Sequence, residues 1–208
     1  MISFLISAIK IIFLLGFLIG IHETGHFLIA KLCKVRVNEF AIGFGPVIWK
    51  KQGKETKYEL RLIPLGGFVN MEGEAEQSEK EGSFTKASIP RRIAIVAAGA
   101  LVNIIFAIMV YFILAMTIRG NLTNVVVGNR VLDADNFGNR VYFASYNTKE
   151  FMLSIAESVK QLFTGKVSSA ELVGPVGISE VVAKTNGFRE FIYILAAISI
   201  SLGVTNLL

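Results

Sequence analysis

Three long apolar runs separated by polar stretches set the layout of this chain. The first extends from Ile2 to Leu32, and its middle, Ile11 to Ala30 (IIFLLGFLIGIHETGHFLIA), has the length of about 20 residues that crosses a bilayer. Only His22, Glu23 and His26 interrupt it. The second run, Ile93 to Ile118, carries no charge over 26 residues. The third, Phe191 to Leu208, is apolar throughout and reads as a span cut short. Three membrane helices are expected. The first run also invites comparison with a signal peptide, since Lys10 precedes an apolar core, but no small-x-small cleavage pattern closes it. A retained helix is the expectation.

Between the first two runs the pattern changes to alternation. Phe40, Ile42 and Phe44 repeat with period two, as do Tyr58, Leu60 and Leu62 with Glu59 and Arg61 between them. Lys50-Lys51-Gln52-Gly53-Lys54 separates the two pieces, so a long hairpin is predicted. Gly43, Gly45 and Pro46, then Pro64, Gly66 and Gly67, mark bends or edges open to close backbone approach. Such a hairpin enters a bilayer only if protein or water satisfies its edge; a plain soluble hairpin fits the pattern equally well. Glu72 to Glu81 reads as a solvated, mobile loop. After the second run, residues 119–147 read as an exposed connector. Asn147 opens a capping sequence with Glu150 three residues on, and Phe151, Ile155, Val159, Leu162 and Phe163 follow at helical spacing. An amphipathic helix over 148–164, ended by Gly165, is expected, followed by a Gly/Pro-broken apolar turn, LVGPVGI, at 172–178. The fold class is thus an α-helical polytopic membrane protein with a membrane-associated β-hairpin or sheet. Its parts are 1–32, 33–92, 93–118, 119–190 and 191–208.

Composition strengthens this picture. With 53% hydrophobic residues, a mean hydropathy of +0.58 and 18% charged residues, the chain is too apolar for an ordinary soluble domain. The net charge of +5 is a topology signal rather than a nucleic-acid footprint. Twelve Lys and Arg fall between Lys31 and Arg92, against eight between Arg119 and Arg189. The first loop is therefore expected in the cytoplasm, with the 119–190 connector outside. One cysteine, Cys33, excludes an internal disulfide framework.

The chemistry is concentrated in His22-Glu23-Thr24-Gly25-His26. Histidines four apart share one helix face and can hold zinc, with the neighbouring Glu free to act as a base. The chain has two histidines, and both are here. Ionisable groups at membrane depth cost roughly 2.5 kcal/mol or more each, so they are rarely there without a task. A catalytic zinc ordinarily takes three protein ligands and leaves one position open. The third ligand is either missing from this chain or borrowed from a loop Glu, since Cys33 lies too far along the helix and Asp133 and Asp135 sit in the polar connector. Asn103, an amide inside the second run, is either interhelical glue or a donor to a substrate.

The stretches HETGHFLIAK (22–31), IGFGP (42–46), IPLGGFVNM (63–71), RRIAIVAAGALVN (91–103), LVGPVGI (172–178) and SLGVTNLL (201–208) together resemble the bacterial site-2 proteases. The likeness is to their regulator-of-sigma-E protease branch. That resemblance implies a multi-pass protein of the bacterial inner membrane that cleaves transmembrane segments of signalling proteins such as anti-sigma factors. It implies Zn2+ held by His22 and His26, Glu23 as general base, Asn103 and Asn206 as substrate-binding residues, and a β-structure that offers an edge strand to an unwound substrate. Three departures accompany it. The family's third ligand is an Asp in a Leu-Asp-Gly motif a few residues beyond the position of Asn206, past Leu208. The connector is too short for a full PDZ domain, and Ala100 stands where the family usually has Pro. The alternatives to a working protease are a non-catalytic metal-binding membrane protein and an inactive truncated protease. No nucleic-acid partner is expected.

Overall fold

The computed structural model describes residues 2–117, 124–164, 180–183, 185 and 187–207. Helix α1 (Ile2–Leu32) is followed by strands β1 (Val37–Gln52) and β2 (Lys57–Met71), a short 3-10 turn (Phe84–Lys86) and helix α2 (Ile89–Met116). Strands β3 (Asn124–Val127) and β4 (Arg130–Asp133), helix α3 (Phe137–Phe163) and helix α4 (Phe188–Thr205) complete it. Three of the helices, over Leu5–Leu32, Ile89–Met116 and Phe188–Thr205, are long and apolar enough to cross a membrane. The fold is that of a polytopic membrane protein carrying a small antiparallel sheet. Two compact units form: 1–104 with 202–208, and 105–201.

In the first unit, α1 ends through a paired backbone closure. Val35 N–H donates to Ala30 O (2.8 Å) and Lys34 N–H to Lys31 O (3.0 Å), with Lys34 in the left-handed region at φ 61°. This 6→1 and 5→2 pattern satisfies the last carbonyls of the helix, and Val35 and Ala30 both enter the core. That core joins Ala30, Val35, Val37, Val69, Met71 and Ile95, from α1, both strands and α2. Phe27 packs edge-on to Phe40 (5.2 Å between ring centres) and Tyr58 (5.9 Å). Aromatic pairs of this kind contribute about 0.5–1.5 kcal/mol each beyond their buried area, and they fix the rotation of α1 one residue after His26.

The sheet is more folded than a hairpin. Residues 39–42 have partners on both sides: Phe40 with Tyr58 and Val69, Ala41 with Glu59 and Phe68, and Ile42 with Leu60 and Gly67. The outer half of β1 meanwhile pairs Lys50 with Glu59 and Gln52 with Lys57. Both strands therefore bend back on themselves, and the segments lie in the order 47–52, 57–61, 39–42, 67–70. The bend in β1 falls at Gly43 and Gly45, at φ of 95° and 80°, a region that glycine enters without penalty. Segment 67–71 has strand partners on one side only among the described residues.

The expected mobile loop after β2 is instead tied down. The Glu72 carboxylate accepts from Asn38 Nδ2 (3.1 Å) and Ser78 Oγ (2.8 Å) and pairs with Lys80 (3.2 Å), and Thr85 Oγ1 donates to Gly73 O. Those hydrogen bonds hold the Glu72 carboxyl at a pKa of about 2, well below its ordinary value. Helix α2 begins four residues ahead of the uncharged run, with Pro90 in its first turn, where the missing N–H costs no helical bond.

In the second unit, the connector is more structured than its composition suggests. β3 and β4 form a four-residue antiparallel ribbon, Asn124 with Asp133 through Val127 with Arg130. Helix α3 starts at Phe137, ten residues before the expected cap. Asn147 caps nothing; its Nδ2 donates to Phe143 O inside the helix (2.8 Å). The LVGPVGI turn at 172–178 lies outside the described residues.

Candidate active site

α1 brings His22, Glu23 and His26 to one place because i and i+4 share a face. His22 Nε2 and His26 Nε2 stand 3.2 Å apart. Two nitrogens bound to one tetrahedral zinc at about 2.0–2.1 Å each lie about 3.3 Å from one another, so the pair fits that ion. The opposing wall is α2. His26 Nδ1 donates to Ile95 O (2.8 Å), which leaves its Nε2 lone pair facing His22. The Asn103 amide, buried, lies 3.4 Å from His22 Nδ1.

Two glycines make the space. A Cβ on Gly99 would fall 2.5 Å from His26 Nε2 and 2.7 Å from His22 Nε2, so only glycine lets α2 lie this close to both imidazoles. Gly25 likewise meets Ala98 O, at 2.7 Å from where its Cβ would be, so α1 and α2 cross almost backbone to backbone. On the other side of the motif, a Cβ on Gly67 would sit 2.8 Å from Glu23 Cγ and 2.9 Å from Ala41 O. β2 thus runs beside the carboxylate, having passed α1 at Gly16, where Pro64 O is equally close.

α4 reaches α2 at its far end, with Gly203 against Ala100 O and Ile104. Asn206 lies beyond this contact in the last turn, exposed, and its N–H donates to Leu202 O. Asn103 is thereby brought to the histidine pair, whereas no contact places Asn206 there. Among the described residues no third His, Cys, Asp or Glu joins the two histidines.

The sheet's charges balance locally. Glu59, its side chain 2% exposed, pairs with Lys57 and with Arg61 (2.8 Å), and Arg61 also reaches Glu39 (3.1 Å). The Lys57 hydrogen bond holds the Glu59 carboxyl below its ordinary pKa and raises that of Lys57. Beyond this network the flank is apolar, with Phe44, Val47, Ile48, Trp49, Leu62 and Leu65 exposed.

The profile of peptidase family M50 matches residues 10–208 of this sequence. The chain belongs to peptidase family M50. A protein of Clostridium acetobutylicum named for an inferred zinc metalloprotease activity is 30% identical over 269 aligned positions, covering 93% of this chain and 79% of the relative. A similarly named protein of Fusobacterium nucleatum is 29% identical, covering 99% and 84%. The regulator of sigma-E protease RseP of Escherichia coli is 43% identical over 118 residues, 54% of this chain and 26% of that protein. This M50 peptidase is thus a site-2 metalloprotease of the RseP-like kind. The alignment with the clostridial relative is longer than the 208 residues of this chain, so that relative carries segments without a counterpart here.

Three contributors to this candidate site escape a reading of side-chain chemistry: Gly99, Gly67 and the Ile95 carbonyl. The small-residue stretch Ala97 to Ala100 signals a close helix approach. It does not reveal that the partner face carries the histidines.

Proposed function

We propose that this chain hydrolyses peptide bonds within transmembrane segments of bacterial signalling proteins, anti-sigma factors among them, in the cytoplasmic membrane. The observation that carries this is the convergence of His22 Nε2 and His26 Nε2 to 3.2 Å, beside Glu23, within a helix apolar enough to span a bilayer. His22 and His26 would hold zinc. Bound there, zinc supplies Lewis acidity to a water and to the scissile carbonyl. Glu23 takes the proton from the attacking water and passes it to the leaving amine.

A helical substrate hides its carbonyls in i to i+4 bonds and must unwind to be cut. The 67–71 segment, with one side without a strand partner among the described residues and Gly67 against Glu23, suits strand addition by the unwound substrate. The family resemblance adds Asn103 and Asn206 as substrate contacts. The test is Glu23→Gln in the full-length protein, assayed on a membrane-embedded substrate with zinc measured in parallel. Zinc retained and cleavage reduced at least about 100-fold is expected, the lower range for losing a general base. Cleavage at the wild-type rate would remove Glu23 from the mechanism.

A further inference from the structure

The polar groups around the two histidines form a directional chain. Ile95 O only accepts, so His26 carries its proton on Nδ1 and presents a bare Nε2. His22 Nε2, at 3.2 Å, can then donate to it, which leaves His22 Nδ1 as an acceptor for Asn103 Nδ2 at 3.4 Å. In this arrangement the donors run Asn103 to His22 to His26 to Ile95. A cation between the two Nε2 atoms is incompatible with the Nε2 proton of His22. Binding requires that this proton move to Nδ1, where it needs an acceptor.

A carboxamide can serve both states by turning over, since it carries a donor at one end and an acceptor at the other. We propose that Asn103 is a positioning residue that sets the tautomer of His22, donating through Nδ2 when the site is empty and accepting through Oδ1 when it is filled. The proposal rests on the reading of His22 and His26 as zinc ligands and gives Asn103 a task toward the ligand itself, distinct from substrate contact. α2 then acts as a template, because Ile95, Gly99 and Asn103 succeed one another every four residues on one face. The first orients His26, the second leaves room for both imidazoles, and the third orients His22.

The experiment measures zinc affinity by chelator competition in the full-length protein. The variants are Asn103→Leu, similar in size but unable to hydrogen-bond, and Asn103→Asp, which can only accept and so favours the metal-ready tautomer. Removing a hydrogen-bond partner of a metal-bound histidine typically weakens binding about 10- to 100-fold, and that loss is expected for Asn103→Leu. Asn103→Asp should bind at least as tightly as wild type, with thermal melting of the metal-free proteins unchanged. Wild-type affinity in Asn103→Leu overturns the proposal, as does an equal loss in Asn103→Asp, which would mark a packing role. Should Asn103→Leu fail to fold, Asn103→Asp decides alone: affinity at or above wild type supports the proposal, and a loss of about tenfold or more overturns it. His22→Ala and His26→Ala serve as separate controls. Unchanged zinc binding in both would dismiss the ligand assignment itself, whatever Asn103 does.

Discussion

Gly67 and Gly99 contribute to the site by what they lack. A methyl at Gly67 would press on Glu23 Cγ and on the Ala41 carbonyl, and neither backbone nor carboxylate stem can move without shifting the base. Gly67→Ala is expected to lower cleavage about tenfold or more while zinc content stays at the wild-type level, because the nearest atoms belong to the base and not to the ligands. Gly99→Ala should do the reverse. Alanine favours a helix interior by about 1 kcal/mol over glycine, so the fold is retained, yet its Cβ would press on both Nε2 atoms and push the imidazoles out of their paired position. Metal analysis of that variant is expected to find no bound zinc, and stoichiometric zinc would refute the crowding argument. At this scale the sequence made His22, Glu23 and His26 readable, because their spacing is itself the chemistry. It marked Gly67 and the stretch around Gly99 only as places of close approach and left the neighbours unreadable, because an absent side chain has meaning only against residues tens of positions away.

Among the elements, the apolar helices followed from run length alone, since a helix interior needs only one's own neighbours in sequence to satisfy its backbone. The sheet did not follow. Alternation identified both strands, but it cannot tell that residues 39–42 have partners on two sides or that Gly43 and Gly45 fold β1 back. Helix α3 began early because Asn136, and not Asn147, stands at its start, where its Oδ1 accepts from Asn139 N–H (3.2 Å). The loop after β2 offers a test at this scale. Glu72 is ordinarily protonated near 4.5, and its carboxylate is held by Asn38, Ser78 and Lys80 down to about 2. A folded-state pKa below the unfolded one stabilises above the unfolded value, and the benefit disappears as pH falls through the folded value. Wild type should therefore resist denaturant better than Glu72→Gln above pH 4.5, with the gap closing between about pH 4.5 and 2. A gap independent of pH would show that the carboxylate's charge is irrelevant there.

For the whole molecule, the exposed apolar surface is the deciding property. Leu5, Ile9, Phe13 and Phe17 on α1 and Ile105, Met109 and Ile113 on α2 are exposed, as suits spans facing lipid. The sheet flank around Trp49 is equally bare, and Lys50, Lys51 and Lys54 stand at its tip. The proposed function implies that this flank lies in the bilayer, with the lysines toward the headgroups. Trp49 is the chain's one tryptophan, so its fluorescence in vesicles should be quenched by brominated acyl chains and protected from aqueous quencher; the opposite result would put the sheet in water. What the sequence determined by itself was local and periodic: three apolar helices, two strands and a histidine pair one helical turn apart beside a glutamate, because 3.6- and 2-residue periods and a four-residue spacing are fixed by backbone geometry alone. Only the tertiary structure decided what faces that pair. The α2 template of Ile95, Gly99 and Asn103, and the β2 backbone at Glu23, are contacts between residues tens of positions apart, and they exist because close-packed backbones leave room for one arrangement around the histidines.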